Sequence, residues 1–243
     1  MDAPARDAPG ALVFETGTNQ WRRYASWPPS GAEPTSLYLH ANGKLAFEPP
    51  TGNESSYDEY ISDPSKPVPY VEQPPTGLAS GYMYGDQRFA SRRADVLTYR
   101  TDPLDRDMTV AGPLAARLEV SSSGTDSDFV VKLIDEDSTG YQQLVRGEPM
   151  RARFRNSFSQ PEALQPNEVA AIHYAMPDIN HTFLRGHRIV VQVQSSWFPL
   201  TDLNPQTFVP ISGGRPSDFV KATQRVFHKP DAASSLVLPV LKR

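Results

Sequence analysis

The stretch LAARLEVS at residues 114–121 places Leu114, Ala116, Leu118 and Val120 on one face and Arg117, Glu119 and Ser121 on the other. Alternation with period two is the mark of a strand with one buried side. The same pattern recurs in FVVKLIDED (129–137), with Phe129, Val131 and Leu133 together, and in RIVVQVQSS (188–196), with Ile189, Val191 and Val193 together. Further short runs of strand type are ALVFET (11–16), TSLYLH (35–40), KLAF (44–47), YQQLVRGEPMRARF, EVAAIHYAM, VKATQRVFH and SSLVLPVL. Asn42-Gly43, between two of these runs, predicts a hairpin over 35–47, because both residues tolerate the positive φ of a tight turn.

Composition narrows the fold further. The 243 residues include 24 prolines, about twice the ordinary ~5% usage, and a proline inside a helix removes a hydrogen bond and clashes with the preceding turn. The longest run free of Pro and Gly, 86–102, has room for a short helix followed by a strand. No repeat and no alternation of strands with helices is visible. The expected architecture is therefore all-β: a two-sheet antiparallel sandwich of the jelly-roll type with little helix, spanning 11–243 as one domain after a loose lead over 1–10. Residues 48–85 hold seven prolines and no sustained periodicity, which predicts a long ordered loop of the kind that covers a surface or serves function.

The same reading excludes several function classes. With no cysteine there is neither a disulfide framework nor a thiolate metal site. The net charge of −4 comes from interspersed charges, and no basic cluster is dense enough to follow a nucleic acid backbone. The most basic word, MRARFR at 150–155, is expected to spread its arginines over one solvated strand face. No apolar run is long enough for a membrane helix, and MDAPARDAPG lacks the apolar centre of a signal peptide. The compartment is left open.

NHTFLRGHRIVVQVQSSWFPLTDLNPQTF (180–208) holds the residue types of a hydrolase triad in His181, His187, Ser195, Ser196 and Asp202. A nucleophile also needs a base within hydrogen-bond reach and an oxyanion hole, and the elbow G-x-S-x-G is absent from the chain. The serines end the strongest strand, where they are expected to satisfy backbone groups. Five scattered histidines (40, 173, 181, 187 and 228) offer no third ligand in sensible metal geometry. DEDSTG, beginning at Asp135, lacks the spacing of a calcium loop and is expected to be a hairpin connection. No metal or other cofactor is expected.

Taken together, FETGTNQWRRYASWPP (14–29), SDPSKPVPY (62–70), DQRFASRRADVLTY (86–99), VAGPLAARLEVSSSGTDSDFVVKLIDE (110–136), LVRGEPMRARFRNSF (144–158) and 180–208 resemble a known family. It is the C-terminal, non-catalytic domain of the X-Pro dipeptidyl-peptidase, cocaine esterase and α-amino-acid ester hydrolase family. The resemblance implies a galactose-binding-like jelly roll beside an α/β-hydrolase domain that carries the whole Ser-Asp-His triad, in cis or as a split partner. It implies no catalytic residue here, no hydrolysis by this chain alone, and a small ester or amide substrate reached through the partner domain. GLASGYMYG (77–85) matches the segment that meets the hydrolase domain near the substrate pocket, so Tyr82, Met83 and Tyr84 are the candidate wall residues. The other class to weigh is a free-standing module for a carbohydrate or a protein partner, with Trp21, Trp27 and Trp197 as possible platforms; a homo-oligomer is compatible with both.

Overall fold

The computed structural model describes residues 10–52, 56–73, 76, 77 and 79–242. Of the expected 1–10 lead, only Gly10 falls among the described residues. The elements are β1 (Ala11–Glu15), β2 (Gln20–Tyr24), β3 (Ala32–His40), β4 (Lys44–Ala46), β5 (Tyr57–Ser62), α1 (Arg88–Ser91), β6 (Val96–Arg100), β7 (Met108–Ser122), β8 (Asp128–Glu136), β9 (Gln142–Arg151), β10 (Ala170–Phe183), β11 (Arg188–Gln194), β12 (Ala222–Lys229), β13 (Ala232–Ala233) and β14 (Ser235–Leu241). Two layers face each other. In the first, β7 pairs with β10 along one side and with β14 and β12 along the other; β14 continues to β3 and β4, and β12 to β5 and β13. The second runs β6-β11-β8-β9. Lys44 and Arg100 form a parallel pair that joins the layers, and among the described residues the other pairings between named strands are antiparallel.

The alternating residues meet between the layers. Leu114, Ala116, Leu118 and Val120 of β7 share one core with Phe129, Val131 and Leu133 of β8 and Ile189, Val191 and Val193 of β11. The hairpin at 35–47 forms as expected, β3 turning into β4 with φ of 61° at Asn42 and 68° at Gly43. The short helix and strand within 86–102 are α1 and β6. DEDSTG is the β8–β9 connection, its turn held by Asp137 Oδ1 accepting from the Thr139 and Tyr141 amides at 2.7 and 3.1 Å.

Three expectations need correction. The segment 48–85 is not all loop: β5 lies inside it and pairs with β12, turning Tyr60 and Ser62 inward. The strands β8 and β11 are buried on both faces rather than one, since Val130, Lys132, Ile134, Val190, Gln192 and Gln194 are also covered. What covers them includes Tyr70, Tyr82, Gln87, Ser91 and Trp197.

The third concerns MRARFR. These arginines are not a solvated stripe, because β9 ends at Arg151 and a 3-10 turn at Ala152–Phe154 breaks the alternation. Arg151 grips Asp128 with Nε and Nη2 at 2.8 and 3.0 Å and reaches Asp202 at 2.9 Å. Arg153 Nε donates to Asp126 Oδ2 at 2.7 Å. Arg155 donates to the carbonyls of Ala152, Glu162 and Ala163. Each guanidinium thus fastens a neighbouring loop, which its planar set of donors suits.

One irregularity recurs on both sides of β7. Its register with β10 shifts between Met176 and Ile179, and with β14 between Val237 and Val240. Gly112 sits at this level with φ +130°, and a Cβ there would lie 3.1 Å from Pro28 Cβ. The β1–β2 ribbon stands apart from both layers and is tied on by a parallel bridge from Thr16 to His181.

Candidate functional site

The triad-type residues of 180–208 have structural partners. His181 is buried, with Nδ1 2.8 Å from Thr16 Oγ1 and Nε2 3.2 Å from Asp135 Oδ2; Asp135 Oδ1 lies 2.8 Å from His187 Nδ1. Thr16-His181-Asp135 therefore has the order of nucleophile, base and orienting acid. It lacks the rest of the machinery. The Thr16 hydroxyl also reaches Asn180 O at 3.2 Å, its amide donates to that same carbonyl at 2.9 Å, and its own carbonyl accepts from the Thr182 amide at 2.9 Å. Gly17 follows at φ +86°, where a Cβ would come within 2.0 Å of Thr182 O. With the amides of Thr16 and Thr182 both committed, the trio is a seam that fastens the ribbon to β10 and β8.

Ser195 Oγ lies 2.7 Å from Tyr60 Oη, and Ser196 Oγ accepts from the Val68 amide at 2.8 Å. The serines therefore hold β5 and the covering chain, and Asp202 answers Arg151. Among the other histidines, His40 meets Glu48 O at 2.9 Å and His173 meets Glu119 at 2.8 Å. Among the described residues, no cluster of three His, Cys, Asp or Glu is arranged to hold a metal ion.

The more open chemistry lies on the outer face of the second layer. There Tyr70, Val130, Ile134, Leu144, Val190 and Trp197 form a separate apolar cluster, with Tyr82 and Leu200 packed against it. The covering chain is pinned beside Trp197: the Phe198 amide donates to Val68 O at 3.0 Å and the Tyr70 amide to Phe198 O at 2.9 Å. The chain then makes a 3-10 turn at Ser80–Tyr84. Tyr82 points in, 5.9 Å from the Trp197 ring and 5.7 Å from Tyr70, both between centroids. Met83 and Tyr84 point out, 57% and 62% exposed. A groove of about 260 Å³ runs beside this turn, lined by Tyr82, Met83, Leu144, Gly147, Trp197 and Leu200 among others. Of the three expected wall residues, Tyr82 and Met83 line the groove and Tyr84 does not.

Sequence reasoning missed what lies beneath. Lys132, in the middle of β8, is fully buried under Trp197, its Nζ 5.3 Å from that ring's centroid and 2.9 Å from Gln87 Oε1. Burial pushes its pKa down to about 7, as expected for an ammonium removed from water with no carboxylate beside it. The available signal was VVKLI, apolar on both sides of the lysine.

The groove floor is tight. A Cβ on Gly147 would meet Trp197 Cη2 at 2.6 Å. Gly147→Ala is therefore expected to push the indole aside and to cost about 1–3 kcal/mol through overpacking. Urea denaturation followed by tryptophan fluorescence checks this; an unchanged midpoint and spectrum would contradict the packing.

Comparison with known proteins fits this geometry. The model of the X-Pro dipeptidyl-peptidase C-terminal non-catalytic domain matches residues 5–237. The chain belongs to that family. Cocaine esterase of Rhodococcus sp. (strain MB1 Bresler) is 33% identical over 242 residues, covering 97% of this chain and 42% of the esterase. The crystal structure of an aminopeptidase from a marine sediment Thaumarchaeota archaeon is 43% identical with a TM-score of 0.93, over 99% of this chain and 42% of that one. An α-amino acid ester hydrolase is likewise 43% identical with a TM-score of 0.91, over 96% of this chain and 41% of that one. The chain thus spans less than half the length of each of these relatives. Its non-catalytic description agrees with serines and histidines committed to holding strands.

Proposed function

We propose that this domain serves as the β-sandwich part of a serine hydrolase that cleaves small ester or amide substrates. The nucleophile sits on an α/β-hydrolase domain, in cis or as a split partner, and the sandwich stabilises that domain and closes one side of its substrate pocket. The observation that carries the wall role is the 3-10 turn at Ser80–Tyr84. Its inner residue, Tyr82, is clamped between Tyr70 and Trp197, and this mounts Met83 and Tyr84 as an exposed apolar tip on a firm base. Exposed large side chains held in fixed geometry suit a contact surface better than an isolated loop does. The names of the relatives, an esterase, an aminopeptidase and an ester hydrolase, support the reaction class.

The test uses p-nitrophenyl esters and Xaa-Pro anilides. The chain alone is expected to show no serine-dependent turnover. With the hydrolase domain joined or added, Met83→Ala and Tyr84→Ala are expected to lower kcat/KM about tenfold, equivalent to losing one well-packed apolar contact. Turnover by the chain alone at ordinary enzyme rates of about 1 to 10³ per second would overturn the proposal. So would wild-type kinetics in both variants, for the wall role.

A further inference from the structure

The β1–β2 ribbon is firmly held and yet turns an apolar face to solvent. Its antiparallel register puts Phe14 opposite Trp21 and Leu12 opposite Arg23, so these four side chains share one face. Leu12, Phe14 and Trp21 are 52%, 40% and 65% exposed, and the Phe14 and Trp21 rings meet edge to face at 5.5 Å between centroids. The opposite face is committed to attachment. Glu15 is buried and accepts from Arg22 Nη2 at 3.1 Å and from Thr18 Oγ1 at 2.6 Å, and Tyr24 Oη donates to Asn180 Oδ1 at 3.1 Å.

A two-stranded ribbon is marginal by itself, so its fixed setting comes from these ties and from the seam of Thr16, His181 and Asp135. Large apolar side chains held side by side in water mark a contact surface, and tryptophan is enriched where binding energy concentrates. The position of the ribbon indicates what covers it. A groove of about 380 Å³ is lined by Phe14 and by Val145 and Arg146 of β9, and the same Val145 and Arg146 also line the groove beside Met83. The ribbon and the Ser80–Tyr84 turn thus adjoin one stretch of β9, and a body seated on the Met83–Tyr84 tip has the ribbon as its neighbour. The family is also a C-terminal domain that makes up 41–42% of the relatives' length, so in them the greater part of the chain precedes the counterpart of β1. A hydrolase domain joined in that way is tethered within a few residues of the ribbon, at an effective concentration on the order of millimolar. A second copy of the chain has no such advantage.

We infer that the outward face of the ribbon, formed by Leu12, Phe14 and Trp21, is a second docking surface for the α/β-hydrolase domain, beside its contact with Met83 and Tyr84. This rests on the hydrolase reading above and adds where else the partner is held. The seam then has a purpose beyond stability: it fixes the ribbon in one pose, so the two contact surfaces keep a constant spacing.

The test is hydroxyl-radical footprinting, read by mass spectrometry, of the chain alone and of the chain joined to the rest of the 43% identical α-amino acid ester hydrolase in place of its matching segment. Oxidation of Leu12, Phe14 and Trp21 is expected to fall several-fold on joining. Phe158, 79% exposed on the loop that leads into the other end of β10, is expected to keep its rate. Trp21→Ser is expected to raise the oxidation of Leu12 and Phe14 in the joined protein several-fold, towards their rates in the free chain, and to leave the urea midpoint of the free chain unchanged. Leu12, Phe14 and Trp21 as reactive as in the free chain, beside protected Met83 and Tyr84, would overturn the inference and leave the wall reading standing. A protected ribbon with Met83 and Tyr84 still reactive would support the docking surface and remove the wall role. No protection at either place would overturn both. Protection of the ribbon in the chain alone, at the mass of a dimer, would assign the face to a second copy and overturn the inference.

Discussion

Lys132→Met is expected to make the protein more stable at neutral pH and to remove much of the dependence of stability on pH between about 7 and 10. In the native state Lys132 is fully buried beneath Trp197 and its pKa falls to about 7, whereas in the unfolded chain it returns to about 10.4. Between these values the unfolded state holds more protons, so stability rises with pH across that window, and the full penalty of burying the ammonium is present below it. A shift of this size corresponds to a few kcal/mol, on the order of 1.4 per unit. Met fills nearly the same space without charge, but it leaves Gln87 Oε1 without its donor, which returns about 1–3 kcal/mol. The variant should therefore lead by about 1–3 kcal/mol at pH 6–7, and the wild type should regain that ground towards pH 10. Urea melts of both proteins at several pH values give the comparison. A difference between them that stays constant with pH would show that Lys132 does not titrate in the folded protein as its surroundings require.

Asp126→Ala should act in the opposite direction and cost about 3–5 kcal/mol, the usual result of removing one partner of a buried pair. Asp126 is fully buried and receives Arg153 Nε at 2.7 Å, the Arg153 amide at 3.1 Å and Asn204 Nδ2 at 3.1 Å. Arg153 in turn holds the 204–209 segment by donating to Val209 O at 2.9 Å. Removing the carboxylate leaves a guanidinium only 7% exposed without its counter-charge, and domains of this kind have about 5–15 kcal/mol to lose. The double variant Asp126→Leu/Arg153→Met is expected to recover part of the loss, because it leaves no buried charge unpaired, while the amide of residue 153 and the Val209 carbonyl still lose their partners. A loss under about 1 kcal/mol in the single variant would mean that water reaches Arg153 and that the pair is solvated.

The inner core was legible in the sequence because it obeys period two. Leu114 to Val120, Phe129 to Leu133 and Ile189 to Val193 lie where their spacing puts them. The outer face of β8 and β11 was not. Alternation reports that a second face differs from the first, but it does not report that a distant segment will fold over it, so Lys132, Gln192 and Gln194 read as solvent-facing and are buried. The strand β5 was hidden among prolines, with only Tyr60 and Ser62 turned inward to mark it. The arginines of 150–155 were misread because their direction is set by a local 3-10 turn, which breaks the alternation the strand would have imposed. The partnership of His181 and His187 through Asp135 needs a third residue about fifty positions away, which spacing within one segment does not reveal.

The position of β14 has a consequence for how the molecule is made. It lies between β3 and β7, with Leu236 opposite both Leu37 and Ala116, so the first layer receives one of its innermost strands only after both of that strand's neighbours have been synthesised. Until 235–241 leaves the ribosome, β3 and β7 each present an open edge, the form of a sheet most prone to pairing with other chains. Closing contacts of such long range is also slow. The nascent domain therefore passes through an interval in which its first layer lacks its keystone strand, and truncation before 235–241 would prolong that interval indefinitely.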